Sequence, residues 1–361
     1  MRFTPRAAAW VSLSLLVFFV TSLMSGCSPF YVMRAAYEEG KILWRREPIT
    51  EFLAKPDVVP DAQEKLRLVL AVREYARDVL KMNVGGSYSS YSYVDRPDLA
   101  YIVTAAPRTK LEPYTWWFFF IGRVPYKGFF SKEDADNAAA DLQAKGYDTY
   151  IRTTAAFSTL GWFDDPLLSH LLRYDKVTLA SIIFHELLHS TLYVKGASDF
   201  NESLANFVGG RATIDFFRDR FGEGSTEHRE AIREWQEEIE FSNFIGDCAK
   251  SLTALYQKDI PYEEKLRLRE EVFQQAKEEW LRRIANQPSN RFRGFAKQPL
   301  TNAILIHYLL YFKQLQLFES LYNANDQNLL KSIESVRQAV EEGGEPFERV
   351  QALVATHKNL S

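Results

Sequence analysis

Apolar residues recur at helical spacing in the early part of the chain. Leu68, Val72, Tyr75 and Val79 are separated by four, three and four positions, so they share one helical face. Gly85 and Gly86 then interrupt the pattern. The pattern predicts that residues 30–82 are helical.

From Ser87 to about Thr154 the pattern changes to short β-rich runs punctuated by prolines. Ser131, with Asp134 three positions later, predicts a helix start, and Gly146 predicts that helix's end. The runs that predict strands are Tyr88–Val94, Tyr101–Ala105, Thr115–Ile121 and Tyr147–Thr153.

Nearly all of the chain after Asp175 is predicted to be helical. The runs Glu263–Ala285 and Leu300–Tyr322 show helical spacing and few helix-breaking residues. The order of elements therefore predicts an α+β protein that is mostly helical, with a small mixed sheet packed on the helix that contains His185. We expect one unit over residues 27–361, with a helical part at 27–84, an α+β layer at 85–170 and a helical part at 171–361.

The first residues have the pattern of an export signal. Arg2 and Arg6 precede an apolar stretch that ends in Ser25-Gly26-Cys27. Small residues directly before a cysteine resemble the bacterial lipobox, which predicts a signal peptide at 1–26 and lipidation of Cys27. The resemblance to Gram-negative lipoproteins, with Ser28 rather than an aspartate at the next position, implies sorting to the outer membrane, facing the periplasm. A transmembrane helix and an ordinary secretory signal are the alternatives.

Composition narrows the choice of partners. A net charge of -3 offers no basic excess for a nucleic-acid partner. The chain has two cysteines, too few for a disulfide framework or a cysteine-rich metal site. If Cys27 carries lipid, Cys248 has no partner in the chain, and we expect it to be a small buried apolar residue.

The motif with the clearest chemistry is His185-Glu186-Leu187-Leu188-His189, an HExxH sequence inside a predicted apolar helix. Residues four apart share a helical face, so His185 and His189 are predicted to bind one Zn²⁺ ion. Glu186, rotated by about 100°, is predicted to act as the general base. A surface helix with incidental histidines is the alternative.

A zinc site of this kind needs a third protein ligand. Gly196 is predicted to end the first helix and Asp199 to start a second, which places Glu202 as the candidate ligand. Glu202 has another interpretation, because Asp199 and Glu202 have the spacing of a capping pair. Asn206, one turn later, is predicted to bond the far nitrogen of a ligand histidine or to be an ordinary surface amide.

The chain resembles a family of predicted bacterial aminopeptidases, many of them lipoproteins. The similarity covers most of the chain after the signal. It rests on Gly85–Tyr88, Asp95–Pro97, Pro125–Gly128, Ser158–Pro166, Phe184–His189 and Phe200–Ser203. Leu188 and Ser190 depart from the family pattern, but neither residue is a predicted metal ligand or the predicted general base. The resemblance implies an aminopeptidase, and the HExxH–Glu order is similar to that of gluzincin metallopeptidases.

The gluzincin resemblance implies a strand before the active helix that pairs with the substrate backbone. Its candidates are Ala156, Ser158, Thr159 and Gly161, with a structural loop as the alternative. A second group that stabilises the oxyanion is also expected. Its candidates are Tyr193, Tyr311, His307 and Asn302, and a packing role is the alternative for each of them. An aminopeptidase also needs an acidic residue that binds the substrate's α-amine. The candidates for this residue are Asp164, Asp165 and Asp199.

The sequence thus predicts a zinc peptidase of the cell envelope with a peptide as its substrate, and an aminopeptidase in particular. The alternative from another class is a non-catalytic envelope lipoprotein, a scaffold or chaperone that keeps the fold. An endopeptidase is a third possibility, and it would need an open cleft.

Overall fold

The computed structural model describes residues 37–38, 40–96, 98–118, 122–154 and 164–360. The predicted signal peptide, Cys27 and the predicted substrate strand with Ala156, Ser158, Thr159 and Gly161 lie outside these ranges. None of the described helices combines the length and the apolar character that a membrane span requires.

Helices make up most of the described structure, and helical residues at 37–38 and 40–44 precede the first strand. The helices are α1 (Ile49–Leu53), α2 (Pro60–Asp78), α3 (Lys132–Ala144), α4 (Lys176–Thr191), α5 (Ser198–Phe221), α6 (Thr226–Tyr256), α7 (Tyr262–Arg283), α8 (Asn302–Phe312), α9 (Leu315–Ala324), α10 (Leu329–Glu341) and α11 (Pro346–Leu360). Two 3₁₀ segments cover Ser169–Arg173 and Arg291–Lys297.

The strands form three small groups. They are β1 (Glu47–Pro48), β2 (Ser90–Ser92), β3 (Ala100–Pro107), β4 (Trp116–Phe118), β5 (Gly122–Val124), β6 (Lys127–Phe129), β7 (Tyr147–Thr154) and β8 (Leu167–Leu168). The order β1-β2-β8 is mixed, since β1 is antiparallel and β8 parallel to β2. The order β6-β3-β7 is antiparallel, and β4 and β5 form a hairpin. The predicted α+β, mostly helical architecture is confirmed.

The prediction of one helical stretch over residues 30–82 was wrong. The chain forms β1, the short α1 and a loop before α2 begins at Pro60. Prolines explain the interruption, because proline lacks an amide donor and disfavours helix at the residue before it. Pro48 accordingly lies in β1, and Pro60 occupies the first turn of α2.

Two other boundaries also differ from the prediction. In the run Tyr88–Val94 only Ser90–Ser92 forms a strand, because Tyr88 adopts a left-handed backbone with φ of 58°. The predicted helix Leu300–Tyr322 is divided into α8 and α9 by Gln314, whose φ is 55°. The helix start at Ser131 and the strand near Tyr147–Thr153 are confirmed.

The two faces of the β6-β3-β7 sheet contact different helices. Val103 pairs with Ile151, and both belong to the face that packs on α3. Because side chains alternate along a strand, the neighbouring Tyr150 and Arg152 point the other way, where they contact α8. The HExxH helix α4 was predicted to pack on the sheet, but it packs mainly on α2 and α5.

Two buried clusters account for most of the core of the described chain. The larger one runs from Ile49 to Val354 and joins α2, α4 and α5 to α9, α10 and α11. The second one is built from α6, α7 and α8 around Phe241 and Trp280. The 31-residue α6 contributes residues to both clusters, so this helix connects them.

Candidate metal centre and active site

Helix α4 begins where the sequence predicted it. The Asp175 carboxylate caps the helix by accepting hydrogen bonds from the amides of Val177 and Thr178, each at 2.9 Å. Such a cap satisfies amides that have no partner within the helix. Apolar residues on either side of the motif, such as Phe184 and Leu187, are buried. The HExxH sequence is therefore on a buried helix, which rules out the surface-helix alternative.

A short connection brings α5 back alongside α4. Helix α4 ends at Thr191, and α5 begins at Ser198, after Gly196 with a φ of 82°. The Asn201 side chain fixes the turn, because it accepts from the Val194 amide and donates to the Val194 carbonyl, both at 2.8 Å.

The turn brings the carboxylate of Glu202 to the two imidazoles of the motif. Its Oε2 lies 3.2 Å from Nε2 of His185 and 3.6 Å from Nε2 of His189. The two Nε2 atoms are 3.2 Å apart. Glu202 therefore contacts the histidines, and the Asp199 side chain instead bonds the Phe200 amide and Lys313.

The spacing of these three atoms suits one metal ion. Ligand atoms about 2.1 Å from a tetrahedral ion lie roughly 3.4 Å from one another, close to the three separations found here. His185, His189 and Glu202 form a group in the described chain that could hold a metal ion. Two imidazole nitrogens and one carboxylate oxygen are a ligand set that zinc accepts.

The pKa values of the two glutamates move in opposite directions. Burial raises the pKa of Glu186 to about 7, although the nearby His185 opposes this shift. Burial alone would also raise the pKa of Glu202, but His189 and His185 outweigh it and hold that pKa well below its ordinary value. The Glu202 carboxylate is therefore ionised and available as a metal ligand. The Glu186 carboxyl can exchange a proton near neutral pH.

A cavity of about 620 Å³ includes this group in its lining, and its size is typical of small-molecule sites. Of the predicted oxyanion groups, Tyr311, Tyr193 and His307 line it. The Tyr311 ring stacks on that of His185 at a centroid distance of 6.3 Å. Burial, together with Arg152, holds the pKa of His307 well below its ordinary value, so this imidazole is neutral.

Other predicted residues have different contacts. Asn206 lines the cavity, but its amide donates to the Tyr311 carbonyl at 2.8 Å rather than to a ligand imidazole. Asn302 is fully buried and bonds Tyr256 and Pro107, so it stabilises the start of α8.

The three candidates for the α-amine acid are not in the cavity lining. Asp164 accepts from the Gly86 amide at 2.7 Å, and Asp199 pairs with Lys313 at 2.6 Å. Asp165 is buried, and its charge helps to raise the pKa of Glu186. The cavity instead contains Glu238 of α6, which the sequence gave no reason to select.

Glu238 belongs to an acidic group on α6. Nη1 of Arg291 donates to Glu234 at 2.9 Å and to Glu238 at 3.0 Å. Burial raises the pKa of Glu238 despite this contact. Arg233 and Arg291 form ion pairs with Glu230, Glu234, Glu237 and Glu238. Of these residues, Glu238 and Arg291 line the cavity.

The fold and the cavity together define an α+β protein with a group that could hold a metal ion in the lining of a pocket. The model of the family described as "Putative aminopeptidase" matches residues 30–353, and the chain belongs to this family. Searches of curated proteins and of solved structures gave no match. Family membership supports a peptidase activity.

Proposed function

We propose that this protein is a zinc-dependent aminopeptidase of the cell envelope. The observation that carries the proposal is the convergence of His185, His189 and Glu202 in the lining of a cavity that also contains Glu186. When bound, zinc would lower the pKa of a water molecule and polarise the scissile carbonyl.

The protein residues then have distinct tasks. Glu186 takes a proton from the attacking water and passes it to the leaving amine, a role that suits a carboxyl with a pKa of about 7. Tyr311 accepts a hydrogen bond from Arg152, so its own hydroxyl proton is free to be donated to the carbonyl oxygen of the substrate. Glu238 holds the substrate's α-ammonium group.

The cellular location is part of the proposal. The pattern of residues 1–27 supports export, lipidation at Cys27 and anchoring in the outer membrane on the periplasmic side. The larger buried cluster, which joins helices from both ends of the described chain, supports residues 27–361 acting as one unit. A non-catalytic scaffold would have no need for Glu186 together with a complete ligand set.

The first test compares the wild type with Glu186→Gln. We expect the variant to retain zinc, because Glu186 is not a ligand, and to lose about 10³-fold or more in turnover of aminoacyl chromogenic substrates. Metal analysis and steady-state kinetics measure the two effects. Glu133→Gln, at an exposed position on α3, is the matched control and should behave as the wild type.

Two results would contradict the proposal. Equal turnover by the wild type and Glu186→Gln would remove Glu186 from the mechanism. Cleavage of N-terminally acetylated peptides as fast as of free ones would show that the α-ammonium group is not recognised, and would favour an endopeptidase.

A further inference from the structure

Arg152 of β7 lines the cavity, and its guanidinium group makes few hydrogen bonds to the described residues. Its Nη2 donates to the Tyr311 hydroxyl at 2.6 Å, and its guanidinium lies over the Tyr311 ring at 5.4 Å. Nη1 reaches the Thr153 carbonyl at 3.4 Å. Nε is buried and has no hydrogen-bond partner among the described residues.

Among the residues that the structure describes, the positive charge of Arg152 also lacks a carboxylate partner. No ion pair within 4.0 Å joins it to any described acidic group. The residues outside the described ranges contain one acidic side chain, that of Glu39. A guanidinium keeps its charge in proteins, and an enclosed charge without a counter-ion is costly. An anionic ligand bound to the Arg152 guanidinium would therefore offset this cost.

This cation lies near the residues proposed for chemistry. Tyr311 connects it to His185, since the Tyr311 ring contacts both side chains. Its charge also acts on the carboxyl of Glu186. Residues of an extended peptide advance by about 3.3–3.6 Å each, so an anion at Arg152 belongs to a substrate group within a few residues of the scissile bond.

We propose that Arg152 binds the free C-terminal carboxylate of a short peptide, so that dipeptides and tripeptides are the preferred substrates. The inference rests on the proposed function, which places the scissile bond over His185, His189 and Glu202. Guanidinium and carboxylate are complementary in shape and charge and can form two parallel hydrogen bonds. With Glu238 for the ammonium end, the cavity offers opposite charges to the two ends of a zwitterion.

The test measures the preference for a carboxylate over an amide. L-alanyl-L-alanine and L-alanyl-L-alaninamide differ only at the C-terminus, and the zinc-loaded wild type should show at least about tenfold higher kcat/KM for the acid. Arg152→Gln should lose this preference, because its kcat/KM should fall at least about tenfold more for the acid than for the amide. Arg152→Lys, which keeps the charge, should retain part of the preference.

Arg123→Gln, an exposed arginine of β5, is the matched control and should keep the wild-type preference. Equal kcat/KM of the wild type for the two substrates would overturn the inference. An equal loss on both substrates in Arg152→Gln would overturn it too, because that result would mean that Arg152 acts only through Tyr311 at the reacting carbonyl.

A binding experiment separates this inference from the proposed function. Titration calorimetry of the zinc-free protein with the same two dipeptides requires no turnover. Tighter binding of the acid, lost in Arg152→Gln, would support the carboxylate site even if no peptide were hydrolysed. Equal binding of acid and amide, or no binding of either, would refute the site even if aminoacyl substrates were cleaved.

Discussion

Cys248 lies on the buried side of α6, where it is 7% exposed, and burial raises the pKa of its thiol to about 12. It is a free cysteine in a buried position, as the sequence predicted. Because the thiolate is the reactive form, the folded protein should protect this side chain well above the pH at which a free cysteine reacts.

We therefore predict slow modification of Cys248 by Ellman's reagent at pH 8 in a Cys27→Ser background. The reaction should be at least about tenfold faster in urea, where the pKa returns towards 8.5. The control adds Tyr262→Cys, at a position that is 49% exposed in the native protein, and this second thiol should react at once. Equal rates in native and unfolded protein would contradict the burial of Cys248.

Single residues also show what local sequence can reveal. His185 and His189 follow from their spacing, because four residues on a helix define one face. Glu202 could not be separated from a capping residue until its contacts were known. Arg152 and Glu238 carry no local signal, since alternation on β7 and a run of glutamates on α6 do not show which side chain meets the cavity.

At the level of elements, the approach of α5 to α4 sets the geometry of the candidate metal site. Gly209 of α5 lies against Ser181 of α4, and a Cβ there would be 2.9 Å from the Ser181 carbonyl oxygen and 3.5 Å from Cβ of His185. Any larger residue at 209 must push these helices apart, and that displacement would separate His185 from Glu202.

We predict that Gly209→Ala lowers the free energy of unfolding by about 1–3 kcal/mol through overpacking and weakens zinc binding at least about tenfold. Chemical denaturation and competition with a chromogenic chelator measure the two effects. Gly246→Ala is the control on α6, where a Cβ meets nothing within 4 Å. It should stabilise the protein by about 0.5–1 kcal/mol. Unchanged zinc affinity in Gly209→Ala would contradict this account.

Element boundaries were predictable wherever a local signal marks them. The Asp175 cap, the Ser131 cap and Gly146 each act within a few residues of their own position. The short strands β1 and β8 could not be predicted, because two-residue strands exist only through their pairing with β2. The same holds for the packing of α8 on the sheet, since helical periodicity does not name the partner of an apolar face.

For the whole molecule, attachment to a membrane is a prediction from residues 1–27 alone. We expect radiolabelled palmitate to be incorporated by the wild type and by Cys248→Ser when expressed in a bacterial host, and not by Cys27→Ser. Immunoprecipitation followed by autoradiography measures the label, and cell fractionation should find Cys27→Ser released from membranes. Labelling of Cys27→Ser at the wild-type level would exclude the lipobox.

The three candidate metal ligands lie between positions 185 and 202, on one helical hairpin closed by Asn201. Arg152 and Tyr311, which meet in the cavity, are far apart along the chain. Closing a short loop costs little entropy, so the folding chain could capture its cation before Tyr311 reaches the cavity. Recognition of the peptide would then be the last capability that the newly made protein acquires.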